Sequence, residues 1–507
     1  MTAPVLLPTR DRPDHGRRRG TSSSMWFPLA SAPATRWTAL AVVVLWALFQ
    51  QFWRLGDAGV ITDEPAYQQP GIAYLHGDFS ENRQHPPTAK YLMGVAQLVF
   101  GDGVPSARIA VAVLGLLTGL VLFVWLRRDV GWWTGLLAAA FWWVLPHGIL
   151  DDPSRIDRLA LLDGPMVAFG VTAMWCGWRW GRGGRWPWVL AAGVAAGLSV
   201  TSKEVGVLLL PAFVVLPFLH RRWSALLGGA VAFATGFVVA FVVPYLPFGV
   251  VSTVREMIAF QAQHAADGHL VEIAGIITRR SPWWANAWYQ WQGTGTLVCV
   301  VLGIGVLAAI ALRPGRLVLW LGVAAAPFLV FYMALSDVAL GEYYIAWMPM
   351  VIAIAAIGIA RLGSLPVRSS LRLVGWSAAL AVVAIAAVPA VGLSVATATM
   401  RPVGVSRLPE VLAATGRGDG LVLVQRESPS AVAAFVGEHQ TRDLNAGPFD
   451  LVVLGQDRRY PIDTSIPAYA AAHPDRVRVV HLDDVTVLVP NGEFRRTASG
   501  WDVSPVG

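Results

Sequence analysis

Long apolar runs separated by short polar connections constrain this 507-residue chain more than any other feature. About eleven of them have the length and composition of membrane-spanning helices. They lie at 37–53, 106–126, 131–147, 163–180, 187–202, 205–219, 224–246, 296–312, 317–335, 344–360 and 373–398. Of all residues 55% are hydrophobic and only 14% are charged, which excludes a soluble globular protein. The sequence therefore predicts a polytopic α-helical membrane protein.

The positions of the positive charges predict how these helices are oriented. Arginines occur as short clusters in every second connection rather than along one face, so we expect no nucleic acid partner despite the net charge of +7. By the positive-inside rule these connections are cytoplasmic, as is the basic tail 1–36, whose composition predicts disorder. The opposite connections, chiefly 54–105, 148–162, 247–295 and 336–343, are then extracytoplasmic.

Residues 400–507 differ from the membrane region, 37–399, in having short β-rich runs divided by Gly and Pro turns. Because the number of predicted spans is odd, this segment is expected to be a small extracytoplasmic α/β domain. Strands are predicted at 421–425, 451–455, 477–481 and 485–489, with a helix near 429–438. The last two strands should form a hairpin.

The first outward connection places charged and aromatic side chains between two apolar runs. It contains Asp63, Glu64, Tyr67, His85 and Lys90. Ionisable groups at the edge of a bilayer are costly to strip of water, so such a cluster is a hypothesis for a functional site. The alternative is a solvated loop between two helices.

Two further outward positions offer cations at the ends of predicted helices. Lys90 and Lys203 are the only lysines among 39 Lys and Arg residues, and a compact ammonium suits a phosphate. Arg158 and Asp163 are spaced to project from the membrane end of the next helix. Chance and simple helix capping remain the competing explanations.

The other polar residues of the outward connections admit simpler interpretations. Asp151, Asp152 and Asp157 are predicted to be surface and capping residues. His264 and His269 lie in a connection rich in Trp and Tyr, which is typical of a membrane interface but also of sugar stacking. No His and Asp pair has the spacing of metal ligands, and Cys176 and Cys299 lie inside apolar runs, so no metal site is predicted.

Four motifs in order resemble those of the protein O-mannosyltransferases, and of the related lipid A aminoarabinose transferases. Both are GT-C glycosyltransferases that use polyprenyl-phosphate sugars. The resemblance covers about residues 55–300. Its motifs are Asp63-Glu64 with Tyr67, His85-Pro86-Pro87-x-x-Lys90, Arg158-Leu-Ala-Leu-Leu-Asp163 and Gly197-x-x-x-Thr201-x-Lys203. It departs from the mannosyltransferases where they favour a Leu-Gly pair before the lysine of the second motif.

The resemblance implies a GT-C-like fold and a role for each matching residue. Asp63 would be the general base or the carboxylate that binds the acceptor, with Glu64 as its supporting neighbour. Lys203 and Arg158 would bind the donor phosphate. The substrate-binding residues would be Tyr67, His85, Lys90, Asp163, His264 and His269.

The chemistry of such a donor explains why these residue types are needed. The leaving group is already a phosphate, whose developing charge requires only cations, while one carboxylate accepts the proton of the acceptor hydroxyl. A single base without a second carboxylate nucleophile implies inversion at the anomeric carbon. No cofactor is predicted, although a role for a divalent cation stays open.

The sugar and the acceptor, whether protein, lipid or cell-wall glycan, stay open as well. The expected location is a bacterial plasma membrane, with the active site outside the cytoplasm. Two other classes compete with this interpretation. A lipid or solute transporter or flippase should show two related halves and polar groups near the midplane. A sensor or assembly protein would leave the polar cluster unexplained.

Overall fold

The computed structural model describes residues 32–61, 63–149, 154–312, 314–364, 369–417 and 419–504. The chain divides into two compact units, Met1–Leu45 and Trp46–Gly507. Described residues of the first unit form the start of helix α1, and every contact named below lies within the second unit. Of the tail that is predicted to be disordered, 1–36, residues 1–31 lie outside the described residues.

Helices form nearly all of the membrane region. Their bounds are α1 Pro33–Phe52, α2 Asp63–Leu75, α3 Thr88–Phe100, α4 Val104–Asp129, α5 Trp132–Val144, α6 Asp163–Gly183, α7 Trp186–Ser202, α8 Leu210–His220, α9 Leu226–Tyr245, α10 Val250–Asp267, α11 Ala285–Thr294, α12 Thr296–Leu312, α13 Arg316–Val330, α14 Met348–Leu362 and α15 Ser369–Thr399. Short 3₁₀ turns at Ile156–Arg158, Glu204–Leu209 and Tyr343–Ala346 connect some of them.

Each of the eleven predicted spans coincides with a helix, which confirms a polytopic helical protein. Four helical segments within the described residues are both long and apolar enough to cross a membrane, or five if the bent pair α11 and α12 counts as one span. Shorter apolar helices include α7 and α14. The chain is therefore a multi-pass membrane protein, while the number of eleven spans stays a prediction.

The connections that are predicted to face outward are not simple loops, because two of them contain further helices. In the first, α2 and α3 pack against each other backbone to backbone at two glycines. A Cβ on Gly94 would lie 2.1 Å from the carbonyl oxygen of Gly71, and a Cβ on Gly71 would lie 2.6 Å from that of Lys90. Only glycine allows this approach, which fixes the position of α2 and of the acidic residues at its start.

The C-terminal domain is built on one mixed sheet. It contains α16 Leu408–Thr415, α17 Pro429–Val436 and α18 Ser465–Ala472, and the strands β3 Val422–Gln425, β4 Gln440–Thr441, β5 Leu451–Leu454, β6 Val477–Leu482 and β7 Val485–Pro490. The strand order is β4-β3-β5-β7-β6, with β3 parallel to both neighbours. Strands β3 and β5 are buried along their whole length, because apolar side chains cover both faces of the sheet.

The predicted α/β character of this domain and the β6–β7 hairpin are confirmed, since Leu482 pairs with Val485. That hairpin is not the last, however. Two more strands, β8 Glu493–Thr497 and β9 Gly500–Ser504, follow it and pair with each other. Their alternating charged residues hide the β pattern, although Phe494 and Trp501 contribute to the core. A third, two-stranded hairpin, β1 Val271–Ile273 and β2 Ile276–Thr278, lies in connection 247–295.

Gly94→Ala should lower the stability of the protein, because the added methyl group forces α2 away from α3. Overpacking of this kind costs about 1–3 kcal/mol. Gly303→Ala is the matched control, since a Cβ there meets nothing within 4 Å and alanine favours the helix by about 1 kcal/mol. Thermal unfolding of the two purified variants measures the difference. Equal midpoints would show that the α2–α3 contact is not tight.

Candidate active site

A cavity of about 940 Å³ lies where the outward connections meet the C-terminal domain. We call it the site cavity. Its charged and titratable lining comes from four segments that are distant in sequence, and includes Asp63, His264, His269, Glu342 and Arg459. The predicted outward connections therefore do converge, and a loop of the C-terminal domain completes the cavity.

Asp63 is the first residue of α2, where the helix macrodipole favours a carboxylate. The Tyr67 hydroxyl, one turn later, donates to its Oδ2 at 3.3 Å. Burial raises the pKa of Asp63, while the charge of Lys203 and the bond from Tyr67 partly oppose this. Among the described residues no cation forms an ion pair with it. An unpaired carboxylate of raised basicity that lines a cavity is suited to accept a proton.

Glu64 occupies a different environment, although it is the next residue. Its side chain is fully buried and forms a two-pronged ion pair with Arg108, with N···O distances of 2.7 and 2.6 Å. It also accepts backbone hydrogen bonds from Ala160 and Ile61. Arg108 in turn donates to the carbonyl groups of residues 55, 58 and 59. These bonds assign Glu64 to the scaffold rather than to a contact with substrate.

Lys203 and Asp163 form an ion pair at the ends of two neighbouring helices. Lys203 follows α7 and Asp163 begins α6, and the Nζ atom lies 2.9 and 2.7 Å from the two carboxylate oxygens. The same ammonium lies over the ring of Tyr343, 4.6 Å from its centroid. The two residues singled out from separate motifs are thus brought into direct contact.

Glu342 is a lining residue that the sequence analysis did not single out. Burial raises its pKa to about 8, Lys203 opposes this shift, and the nearby Asp163 and Asp63 carboxylates reinforce it. Glu342 therefore carries a proton near neutral pH. The sequence around Glu342 contains no motif that would single it out. The charges that surround it, Lys203, Asp163 and Asp63, come from other segments of the chain.

Arg158 and Lys90 do not line the site cavity. The Arg158 guanidinium donates to the carbonyl groups of Gln50 and Trp53 at 2.9 and 2.7 Å. Lys90 is fully buried and donates to the Asn82 side chain, to the Tyr74 hydroxyl and to the carbonyl group that precedes Pro86. This geometry favours structural roles, in place of the predicted contacts with donor phosphate and substrate.

The histidines form an aromatic wall rather than a metal site. The rings of His264 and His269 lie 5.1 Å apart in the site cavity, and His85 contacts Tyr67 and Phe260 edge-on. Burial lowers the pKa of His269 to about 4, so its imidazole is neutral. Within the described ranges no group of three His, Cys, Asp or Glu residues could hold a metal ion.

The interpretation of Asp157 as a surface residue is wrong. Its carboxylate is fully buried and accepts from Arg155 at 2.9 and 2.7 Å and from Gln51 at 2.7 Å, while His147 Nε2 lies 3.0 Å away. This network anchors connection 148–162 to α1. Sequence spacing alone could not distinguish it from helix capping. Asp151 and Asp152 lie outside the described residues.

Arg459, in the loop after β5, is the second lining residue that the sequence analysis missed. Its guanidinium is paired with Asp457, at 2.7 Å for the closest atoms, and both residues line the site cavity. Loops that follow parallel strands often carry functional residues. The run Arg458-Arg459-Tyr460 after a buried strand was the available signal.

With this geometry established, comparison with known proteins identifies the fold. Residues 84–248 match the family model described as dolichyl-phosphate-mannose-protein mannosyltransferase. The structure of ArnT from Cupriavidus metallidurans superposes with a TM-score of 0.61 at 18% identity, covering 90% of this chain and 98% of that one. The chain has the fold of ArnT. The same protein bound to undecaprenyl phosphate gives 0.57 at 17% identity and the same coverage.

Two other matches agree with this GT-C-like fold. The Archaeoglobus fulgidus oligosaccharyltransferase superposes with a TM-score of 0.52 at 13% identity, over 82% of this chain and 64% of that one. Polyprenol-phosphate-mannose–protein mannosyltransferases from two strains of Mycolicibacterium smegmatis are 29% identical over 207 residues, 34% of this chain and 39% of theirs. The chain thus spans well under half the length of these curated relatives. The resemblance predicted from the sequence is confirmed.

Glu64→Gln should destabilise the protein far more than Asp63→Asn. Removing one partner of a buried ion pair typically costs about 3–5 kcal/mol, because Arg108 would keep its charge without a counterion. Asp63 forms no such pair, and asparagine retains its shape. Thermal unfolding of both purified variants tests this difference. If the two substitutions lowered the unfolding midpoint by the same amount, the assignment of Glu64 to the scaffold and of Asp63 to the cavity would be wrong.

Proposed function

We propose that this chain is a membrane glycosyltransferase that moves a sugar from a polyprenyl-phosphate donor to an acceptor hydroxyl group. The observation that carries the proposal is Asp63, an unpaired carboxylate lining a large cavity in the ArnT fold, beside the Lys203–Asp163 pair. An ArnT structure that shares this fold is bound to undecaprenyl phosphate, which supports a donor of this class.

In this proposal the Asp63 carboxylate removes the proton from the acceptor hydroxyl as its oxygen attacks the anomeric carbon. The bond to the phosphate oxygen breaks in the same step, so the configuration inverts. The hydrogen bond from Tyr67 orients the carboxylate. Burial, which raises the pKa of Asp63, makes it a better proton acceptor than an exposed aspartate.

The departing phosphate needs positive charge, and Lys203 is the proposed source. Its ammonium is held between Asp163 and the Tyr343 ring, so it is positioned before any substrate binds. Glu342, which is protonated near neutral pH, adds no competing negative charge and can donate a hydrogen bond. Arg158 has no part in this proposal, because its guanidinium is directed to backbone carbonyl groups.

The donor sugar is proposed to be mannose and the acceptor a protein. The family match over residues 84–248 and the names of the curated relatives support both assignments. A lipid or a cell-wall glycan is the alternative acceptor. The aromatic and histidine wall of the site cavity suits either case, because sugar rings stack on apolar ring faces.

The site cavity and residues 400–507 are proposed to lie outside the cytoplasm of a bacterial cell, in its plasma membrane. The alternation of arginine-rich connections supports this orientation. It also agrees with chemistry at a membrane edge, where a lipid-borne sugar and a water-borne acceptor can meet. The transporter alternative is less well supported, because these ionisable residues gather at helix ends rather than at the midplane.

Asp63→Asn should reduce turnover by about 10²–10⁴-fold, the usual cost of losing a positioned base. Purified protein is assayed for transfer from polyprenyl-phosphate mannose to a Ser/Thr peptide and to cell-envelope lipid and glycan extracts. Asp78→Asn is the matched control, because Asp78 is an exposed acid in the same connection whose carboxylate, within the described residues, is bonded by Ser80 alone. A folded Asp63→Asn protein that transferred at the parent rate would remove Asp63 from the mechanism.

A reporter that is active only in the cytoplasm, fused after Pro490, should give no signal, since the domain is expected outside. A fusion after Arg128 should be active and serves as the control for expression. An active reporter at Pro490 would mean that the span count is wrong by an odd number.

A further inference from the structure

A second cavity, of about 720 Å³, lies at the opposite membrane end from the site cavity. Leu161, which lines the site cavity, lies two residues before the 21-residue helix α6, whereas Arg182, which lines the second cavity, lies in the last turn of that helix. At 1.5 Å per residue this helix is roughly 30 Å long. We call the second cavity the basic cavity, since four arginines line it together with His220. They are Arg182, Arg222, Arg316 and Arg361.

The lining of the basic cavity carries an excess of positive charge. Among the described residues that line it, the single acid is Asp129, which forms an ion pair with Arg182. Four arginines and one aspartate leave a net charge of +3. Arg222 donates to the carbonyl group of Gly181 at 2.9 Å and Arg361 to that of Ala309 at 2.8 Å, which fixes both guanidinium groups at the cavity. Membrane orientation explains arginines at this end, but it does not require them to converge on one cavity.

Arg316 is solvent-exposed and is the one of these four arginines for which the described residues supply no bonding partner. It is the first residue of α13, where the macrodipole is positive and disfavours a cation. Among the described residues its side chain forms no hydrogen bond or ion pair. An anion there would receive both the guanidinium and the free backbone N–H groups of the helix start.

His220 and Gly181 indicate that the basic cavity is shaped rather than accidental. The His220 ring packs edge-on against Trp178, and its buried Nε2 has no hydrogen-bond partner within the described part of the chain. A Cβ on Gly181 would lie 2.6 Å from this ring. A larger residue at position 181 would therefore displace the His220 ring.

We propose that the basic cavity binds a phosphate anion, presented by the headgroup of an anionic phospholipid or by a soluble phosphate. Guanidinium groups bind phosphate oxygens through paired hydrogen bonds, and basic pockets between membrane helices suit anionic headgroups. His220 Nε2 would supply a further hydrogen bond. The basic cavity thus serves binding at the membrane end opposite the proposed transfer chemistry.

The full-length protein tests this in nanodiscs of phosphatidylcholine, with or without phosphatidylglycerol. Native mass spectrometry counts the anionic lipid molecules that stay bound to the protein. Thermal unfolding measures how far these lipids raise the unfolding midpoint of the protein. In a second arm, inorganic phosphate is added to phosphatidylcholine nanodiscs. Arg316→Gln should weaken binding of the anion about tenfold, as expected for losing charge-assisted hydrogen bonds of about 1.4 kcal/mol. If the loss is seen with phosphatidylglycerol, the phosphate comes from a lipid headgroup. If it is seen with inorganic phosphate, the ligand is a soluble phosphate.

Arg128→Gln is the matched control, because Arg128 is exposed at the same membrane end and lies outside the lining. It should behave like the parent in both arms. His220→Asn, which retains a hydrogen-bonding amide, should have a smaller effect than Arg316→Gln. The proposal is overturned if neither arm depends on Arg316, or if Arg128→Gln loses the anion equally, since both results indicate nonspecific surface charge.

Discussion

The buried ion pair between Glu64 and Arg108 is the interaction on which the candidate site depends. Arg108 lies on α4, inside the membrane region, and also binds the carbonyl groups of the turn that leads into α2. Glu64 binds the backbone of Ala160 in the next outward connection. Three segments are therefore fixed by one pair of side chains. Asp63 lies in the site cavity because the residue beside it is held in this way.

The site cavity and the residues next to it combine paired charges with Asp63, a carboxylate that forms no ion pair within the described residues. Lys203 is paired with Asp163, Arg459 is paired with Asp457, and burial keeps Glu342 protonated near neutral pH. Buried charges are costly unless paired, so this arrangement lets several ionisable groups lie close together. The Asp63 carboxylate differs, because the hydroxyl of Tyr67 is its one hydrogen-bond partner among the residues that the structure describes. That difference is the physical basis for proposing it as the base.

The membrane helices connect two cavities of opposite character. At one end, acids, histidines and arginines line the cavity of the proposed transfer site. At the other, arginines converge on a cavity whose lining, among the described residues, contains a single acid, Asp129. Helix α6 contributes to both ends, with Asp163 at its start and Arg182 in its last turn. An anion bound at the arginine end would therefore stabilise the same helix that positions Asp163.

The sequence by itself determined the helical membrane class, the presence of a small C-terminal sheet domain and the resemblance to polyprenyl-phosphate-dependent transferases. These follow from apolar run length, from short β-rich runs between Gly and Pro turns, and from four local motifs. Residue order also identified Asp63, Lys203 and Asp163, but their roles stay predictions. Only the tertiary structure decided which polar residues share a cavity. Asp157, Arg158 and Glu64 are buried in the scaffold, whereas Glu342 and Arg459 reach the site cavity from distant segments. The reason is that burial and pairing depend on which segments meet in space, and helix packing sets this rather than neighbouring residues in the chain.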